Sequence, residues 1–195
     1  MEPVGKWAEW EANPKPYGGL EVLALIREME GGGATVLPLH KNQITDLTPL
    51  AGMTSLERLL LYGNDITDLS PLAGLTSLIN LDLIGNQITD LAPLARLARL
   101  KGLYLGENQI ADVSPLAGLT NLASLILNHN DIADVSPLVG LTKLTSLVLA
   151  SNQITDLTPL ARLTKLTELK LSDNPIPEDQ KEMLKETLPD CDISF

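Results

Sequence analysis

Cys191 is the only cysteine among the 195 residues, so no disulfide can form within the chain and packing alone must hold the fold. Aromatic residues are nearly as scarce, at 3% against 44% hydrophobic residues, which leaves the core to aliphatic side chains. Acids outnumber basic residues 25 to 14, for a formal charge of -11 at pH 7. That balance argues against nucleic acid and anionic membranes, which need clustered Lys and Arg to displace counterions from phosphates. A basic or simply polar partner fits better, although many of the acids fall in one repeated column or in the terminal segments and serve solubility. No apolar run approaches the roughly 18 residues that span a bilayer, so no membrane insertion is expected. No basic, hydrophobic leader precedes Met1-Glu2-Pro3. The chain reads as soluble, cytoplasmic as written or secreted if a signal peptide has been removed.

What is abundant is regular. Asn42, Asn64, Asn86, Asn108, Asn130, Asn152 and Asn174 are spaced 22 residues apart, and around them recurs Leu-x-x-Leu-x-Leu-x-x-Asn-x-Ile, as in Leu78, Leu81, Leu83, Asn86 and Ile88. A fixed period of this length marks a solenoid, in which each unit touches only its neighbours and one curved face stays open. Alternation such as Leu81-Asp82-Leu83 has the period of two that turns leucines inward and predicts a strand of three to five residues. Identical units in register pair such strands in parallel, giving about eight in one sheet. Each asparagine then turns the chain, its amide both donating to and accepting from backbone groups that the turn would bury.

The second half of the unit carries Asp-Leu-Thr-Pro-Leu at 46–50 and its echoes. Ser or Thr before Pro predicts a helix start, with the hydroxyl capping free amides and only about one 3-10 or α turn following. The column Asp46, Asp68, Asp90, Asp112, Asp134 and Asp156 supplies one carboxylate per unit. Calcium wants roughly six to eight oxygens, so turn capping is the better account and no metal or cofactor is expected.

Both open ends need lids. Residues 1–33 form an arm and a helical cap, 34–176 the repeats and 177–195 a helix–strand cap, in one continuous domain. The helix at 19–30 presents Leu20, Leu23, Ile26 and Met29 on one face. Trp7, Trp10 and Tyr17 either pack on that cap or form a docking arm. At the other end Pro177-Glu178-Asp179 opens a helix that Pro189 halts. Adding 22 to Leu166, Leu169 and Leu171 gives Leu188, Cys191 and Ile193, an eighth strand with Cys191 in place of a core leucine and Phe195 as a natural end. Flanked by Asp190 and Asp192, that thiol reads as structural rather than nucleophilic.

Outward positions supply the candidate binding residues: Leu60, Tyr62, Asp82, Ile84, Tyr104, Ile126, Asn128, Val148 and Lys170. Several are apolar where water is expected, the mark of an interaction surface, although β-branched and aromatic residues suit strands in any case. Tyr62 and Tyr104 are the anchor candidates. In the extrapolated register Asp190 and Asp192 continue the outer columns, making the rim acidic through Glu168 and Asp173. No catalytic set is found: His40 and His129 lie four repeats apart, and the glycines fall at turn positions without forming a phosphate loop.

The stretch Asn-Gln-Ile-Thr-Asp-Leu-x-Pro-Leu-Ala-x-Leu-Thr-x-Leu at 152–166 resembles the 22-residue leucine-rich repeats of bacterial internalin-like proteins. The resemblance covers residues 34–176 and extends through the ending Leu-Pro-Asp-Cys-Asp-Ile-Ser-Phe. It implies an α/β leucine-rich repeat right-handed solenoid with a concave parallel sheet, convex 3-10 or short helical turns and helical caps at both ends. For function it implies a noncatalytic module that binds a protein or peptide on its concave sheet. Two alternatives stand beside this: an intracellular regulatory subunit of an enzyme such as a phosphatase, and a secreted or surface adhesion protein. A monomer is expected.

Overall fold

One leucine at the centre of each of the first seven three-residue strands is fully buried, and that is enough to orient the strand. The computed structural model describes residues 4–195, and its strands are β1 (Val36–Pro38), β2 (Arg58–Leu60), β3 (Asn80–Asp82), β4 (Gly102–Tyr104), β5 (Ser124–Ile126), β6 (Ser146–Val148), β7 (Glu168–Lys170) and β8 (Asp192–Ser194). They form a single parallel sheet in sequence order, the leucine-rich repeat solenoid expected from the repeat. From β1 to β7 every pairing advances by 22 residues, as in Leu81↔Leu103, so inward positions stack on inward positions. The inward leucines, the Ile after each asparagine and the leucines of the turns make one continuous core.

The last step differs. Leu169 pairs with Ile193 and Lys170 with Ser194, an advance of 24, which corrects the eighth strand read from the period. Helix α3 (Glu178–Thr187) replaces a three- to five-residue turn, and a further turn closed by Cys191 N–H to Leu188 O follows it. Together they use two residues more than a repeat does. Because the excess is even, the inward–outward alternation survives. Ile193 takes the core place assigned to Cys191, which sits half-buried just before the strand, and Asp192 moves to the column of Val36 and Arg58. Burial, with Asp192 and Glu168 nearby, pushes the thiol of Cys191 above its ordinary value, as suits a structural cysteine.

On the opposite side run 3-10 turns at Thr48–Leu50, Ser70–Leu72, Ala92–Leu94, Ser114–Leu116, Ser136–Gly140 and Thr158–Arg162, each with Pro in its first positions. The hydroxyls do not cap them as expected. The cap position belongs to an inward Leu or Val, so the acceptor comes from the residue before it. Each Asp of the column accepts the amide of the residue two ahead at 2.8 Å, Ala92 included. The hydroxyls of Thr48, Ser70, Ser114 and Ser136 donate to the same carboxylates. Donation from the Ser114 amide and hydroxyl holds Asp112 below the usual carboxylate range, and the Thr158 hydroxyl and amide do the same for Asp156.

The asparagine side chains join one unit to the next. Asn86 Oδ1 accepts from Ile66 N in the preceding repeat, while its Nδ2 donates to Leu83 O of its own strand and to Leu61 O one repeat back. Leu61 O also accepts from Asn64, and Leu83 O from Asn108, so each shared carbonyl uses both lone pairs. The residue before every one of the seven asparagines has a left-handed backbone: Lys41, Gly63, Gly85, Glu107, His129, Ser151 and Asp173, with φ between 52° and 67°. Only two are glycine. A left-handed conformation costs a side-chain-bearing residue ~1–2 kcal/mol, against ~0.5–1 kcal/mol for the greater flexibility of an unfolded glycine. His129→Gly is therefore expected to raise Tm by about 1–3 °C in a thermal melt.

The N-terminal lid is more elaborate than its sequence suggests. Trp7 and Trp10 lie on a helix, α1 (Val4–Ala12), that packs against α2 (Leu20–Gly31). Their rings meet edge-on at 4.9 Å, Tyr17 lies 6.0 Å from Trp10, and Arg27 of α2 stands over Trp7 while pairing with Glu11 at 3.0 Å. Both tryptophans are buried, so the aromatic segment packs on the cap. Leu20 is 56% exposed, and Val22 takes its expected place beside Leu23 and Ile26. Leu20 follows Gly18 and Gly19, and at this first helical position it faces away from the repeats.

Candidate functional site

Eight strands at ~4.8 Å spacing give the concave sheet a length of about 34 Å. Register places Leu60, Asp82, Tyr104, Ile126, Val148 and Lys170 side by side in one row. Tyr62, Ile84 and Asn128 stand two residues further along their chains, where the strands run out toward the asparagine turns. Lys170 is exposed and the others are half-buried, so their upper surfaces make the floor of the face.

The row is not uniform. At its N-terminal end the His40 and Tyr62 rings stack at 4.5 Å with 5° between their planes, and Lys41 Nζ sits 5.7 Å from the centre of the Tyr62 ring. Among the described residues, Nδ1 of His40, buried there, finds no hydrogen-bond partner. Asp82 is partly desolvated, which raises its pKa against the opposing pull of the Ile84 amide, 3.2 Å from Oδ1, and of His40. At the C-terminal end Lys170 pairs with Glu168 at 3.0 Å, and Ser146 Oγ donates to the same carboxylate, so Glu168 titrates below its ordinary value.

Two glycines at outward positions of the face, Gly102 and Gly106, shape the middle. A Cβ on Gly102 would come within 2.8 Å of the Tyr104 hydroxyl and 2.5 Å of Asn80 Oδ1, and one on Gly106 within 2.5 Å of Asn128 Oδ1. Tyr104 therefore reclines over Gly102 and Asn128 over Gly106, filling space that any other residue would occupy. The signal was a glycine at an outward strand position on each side of a tyrosine. Chemistry is harder to find: His40 and His129 remain far apart, and no group of three or more His, Cys, Asp or Glu among the described residues could hold a metal ion. None of the described helices is long and apolar enough to cross a membrane.

The family profile described as Leucine Rich repeats (2 copies) matches residues 54–96, 98–140, 120–162 and 142–182, which are the units stacked on the asparagine ladder. The chain belongs to the leucine-rich repeat family. Among solved structures this leucine-rich repeat protein is similar to internalin C2 of Listeria monocytogenes, at 43% identity and a TM-score of 0.81 over 87% of this chain and 73% of that one. It is also similar to another Listeria monocytogenes internalin, inlF, at 42% identity and a TM-score of 0.77 over 82% of this chain. A leucine-rich repeat protein of Leptospira interrogans matches at 28% identity and a TM-score of 0.75 over 87% of this chain. The chain spans 47% and 50% of the last two. No curated protein sequence matches it. The repeats are thus of the bacterial internalin-like type, whose members are generally protein-interaction modules.

Proposed function

We propose that this leucine-rich repeat protein is a noncatalytic module that holds a protein or peptide on its concave sheet. The observation that carries the reading is the row of apolar side chains left half-open on that face, Leu60, Tyr104, Ile126 and Val148, with Tyr62 and Ile84 beside it. Strands need buried leucines on one side only, and apolar residues gathered on the other side mark an interaction surface. A face of about 34 Å suits a partner of ordinary interface size.

Replacing Tyr62, Tyr104 and Ile126 together with serine tests this reading. A partner captured by the unaltered chain from lysate or culture medium should be lost, while the Tm moves by only a few degrees because none of the three side chains is fully buried. Equal capture by the altered chain overturns the proposal.

A further inference from the structure

Two columns flank the apolar row, and both run from cation to anion in the same direction. One lies on the strands, with Arg58 at its β2 position and Asp192 at its β8 position. Between them the strand column is uncharged until Glu168, whose charge Lys170 matches at 3.0 Å. The other column is the left-handed position before each asparagine, which starts at Lys41 and ends at Asp173, with Glu107 the single charge between. Among the described residues none of Arg58, Lys41, Asp173 and Asp192 makes an ion pair. Asp82, the one acid in the central row, is already engaged by the Ile84 amide.

The face is therefore polar along its length, in contrast to the uniformly acidic surface suggested by a net charge of -11. From Arg58 to Asp192 is six strand steps, or about 29 Å. That is several times the ~8 Å screening length at physiological salt, so the two ends act on a partner independently. Resting on the concave-face reading, we propose that the occupant is a protein segment with an acidic end, an apolar centre and a basic end. Its acidic end lies over Arg58 and Lys41, its apolar centre over Tyr104 and Ile126, and its basic end over Asp173 and Asp192. Complementary charge at both ends sets the direction of seating and rejects segments with like charge at either end.

Four synthetic peptides with one common apolar centre test this: one with Glu-Glu and Lys-Lys ends, one with acidic ends, one with basic ends and one with Ser-Ser ends. Each is made about 9 residues long, to cross the face extended, and about 18 residues long, to cross it as a helix. Titrated calorimetrically into the full chain at low salt, the bipolar peptide of one length should bind at least tenfold tighter than the other three, with the advantage shrinking as salt is added. In the double variant Lys41→Glu, Arg58→Glu, both exposed positions, preference should pass to the peptide with basic ends. Equal binding of all four peptides overturns the charge polarity but leaves an apolar binding face. Bipolar binding that survives serine at Tyr62, Tyr104 and Ile126 overturns the concave site itself, and no binding by any peptide overturns the segment as occupant.

Discussion

Alanine at Asn86 will lower the unfolding free energy by about 2–6 kcal/mol, read from a denaturant titration. The substitution orphans the amide of Ile66, buried in the preceding repeat, at ~1–3 kcal/mol, and removes the second hydrogen bond from each of Leu61 O and Leu83 O at ~0.5–1.5 kcal/mol apiece. Asn42 provides the contrast. It opens the ladder, donates only to His40 O and is less buried, so Asn42→Ala should cost about 1 kcal/mol or less. Asn86 and Asn108 share Leu83 O, so removing both strips that carbonyl of both side-chain donors and the double loss should exceed the sum of the single ones. Equal effects at Asn42 and Asn86 would show that the asparagines serve their own turns and do not couple the repeats.

Leu184→Ala should cost a further large increment, about 2–5 kcal/mol, with a different spatial pattern. Leu184 is the one fully buried residue of α3, which packs against the last 3-10 turn and uses Gln180 Oε1 to accept the Leu157 amide at 2.9 Å. Loosening this lid exposes the flank of the final repeat, including Leu160 and Leu163, to water. In a solenoid each unit leans only on its neighbours, so the damage should spread from that end. Amide exchange in Leu184→Ala is expected to accelerate most from β7 to the C-terminus and least around β3 and β4. Uniform acceleration along the chain would mean that the lid is coupled to the whole solenoid.

The repeat was legible because one physical cause writes it many times: every unit meets the same neighbours, so Leu81, Asn86 and Leu91 obey the same constraints as their counterparts. Legibility failed where a segment occurs once. The two residues by which the last pairing exceeds the period follow from the length of α3 and the turn after it, which no periodicity encodes. The α1 helix escaped because two prolines follow its tryptophans, and Val22 replaces Leu20 on the buried face because a stride of three drifts about 60° per step around a helix while Val22 and Ile26, four apart, stay together. Parity along the strands pointed to the concave row, since alternation fixes which side chains point outward. It could not show that Tyr104 lies down over Gly102, because a rotamer on a sheet is chosen by what the adjacent strands leave empty.

The ladder also makes the molecule countable. Every internal junction has the same chemistry, one amide received from the unit before and one carbonyl shared with it, so a unit from the middle can follow any other without a new fit. Duplication or loss of a single 22-residue unit changes the length of the sheet by one notch of about 4.8 Å and leaves α2 and α3 seated on the ends they already fit. The chain behaves as a graduated gauge, and span is the quantity it can alter by a single genetic event without redesigning any surface.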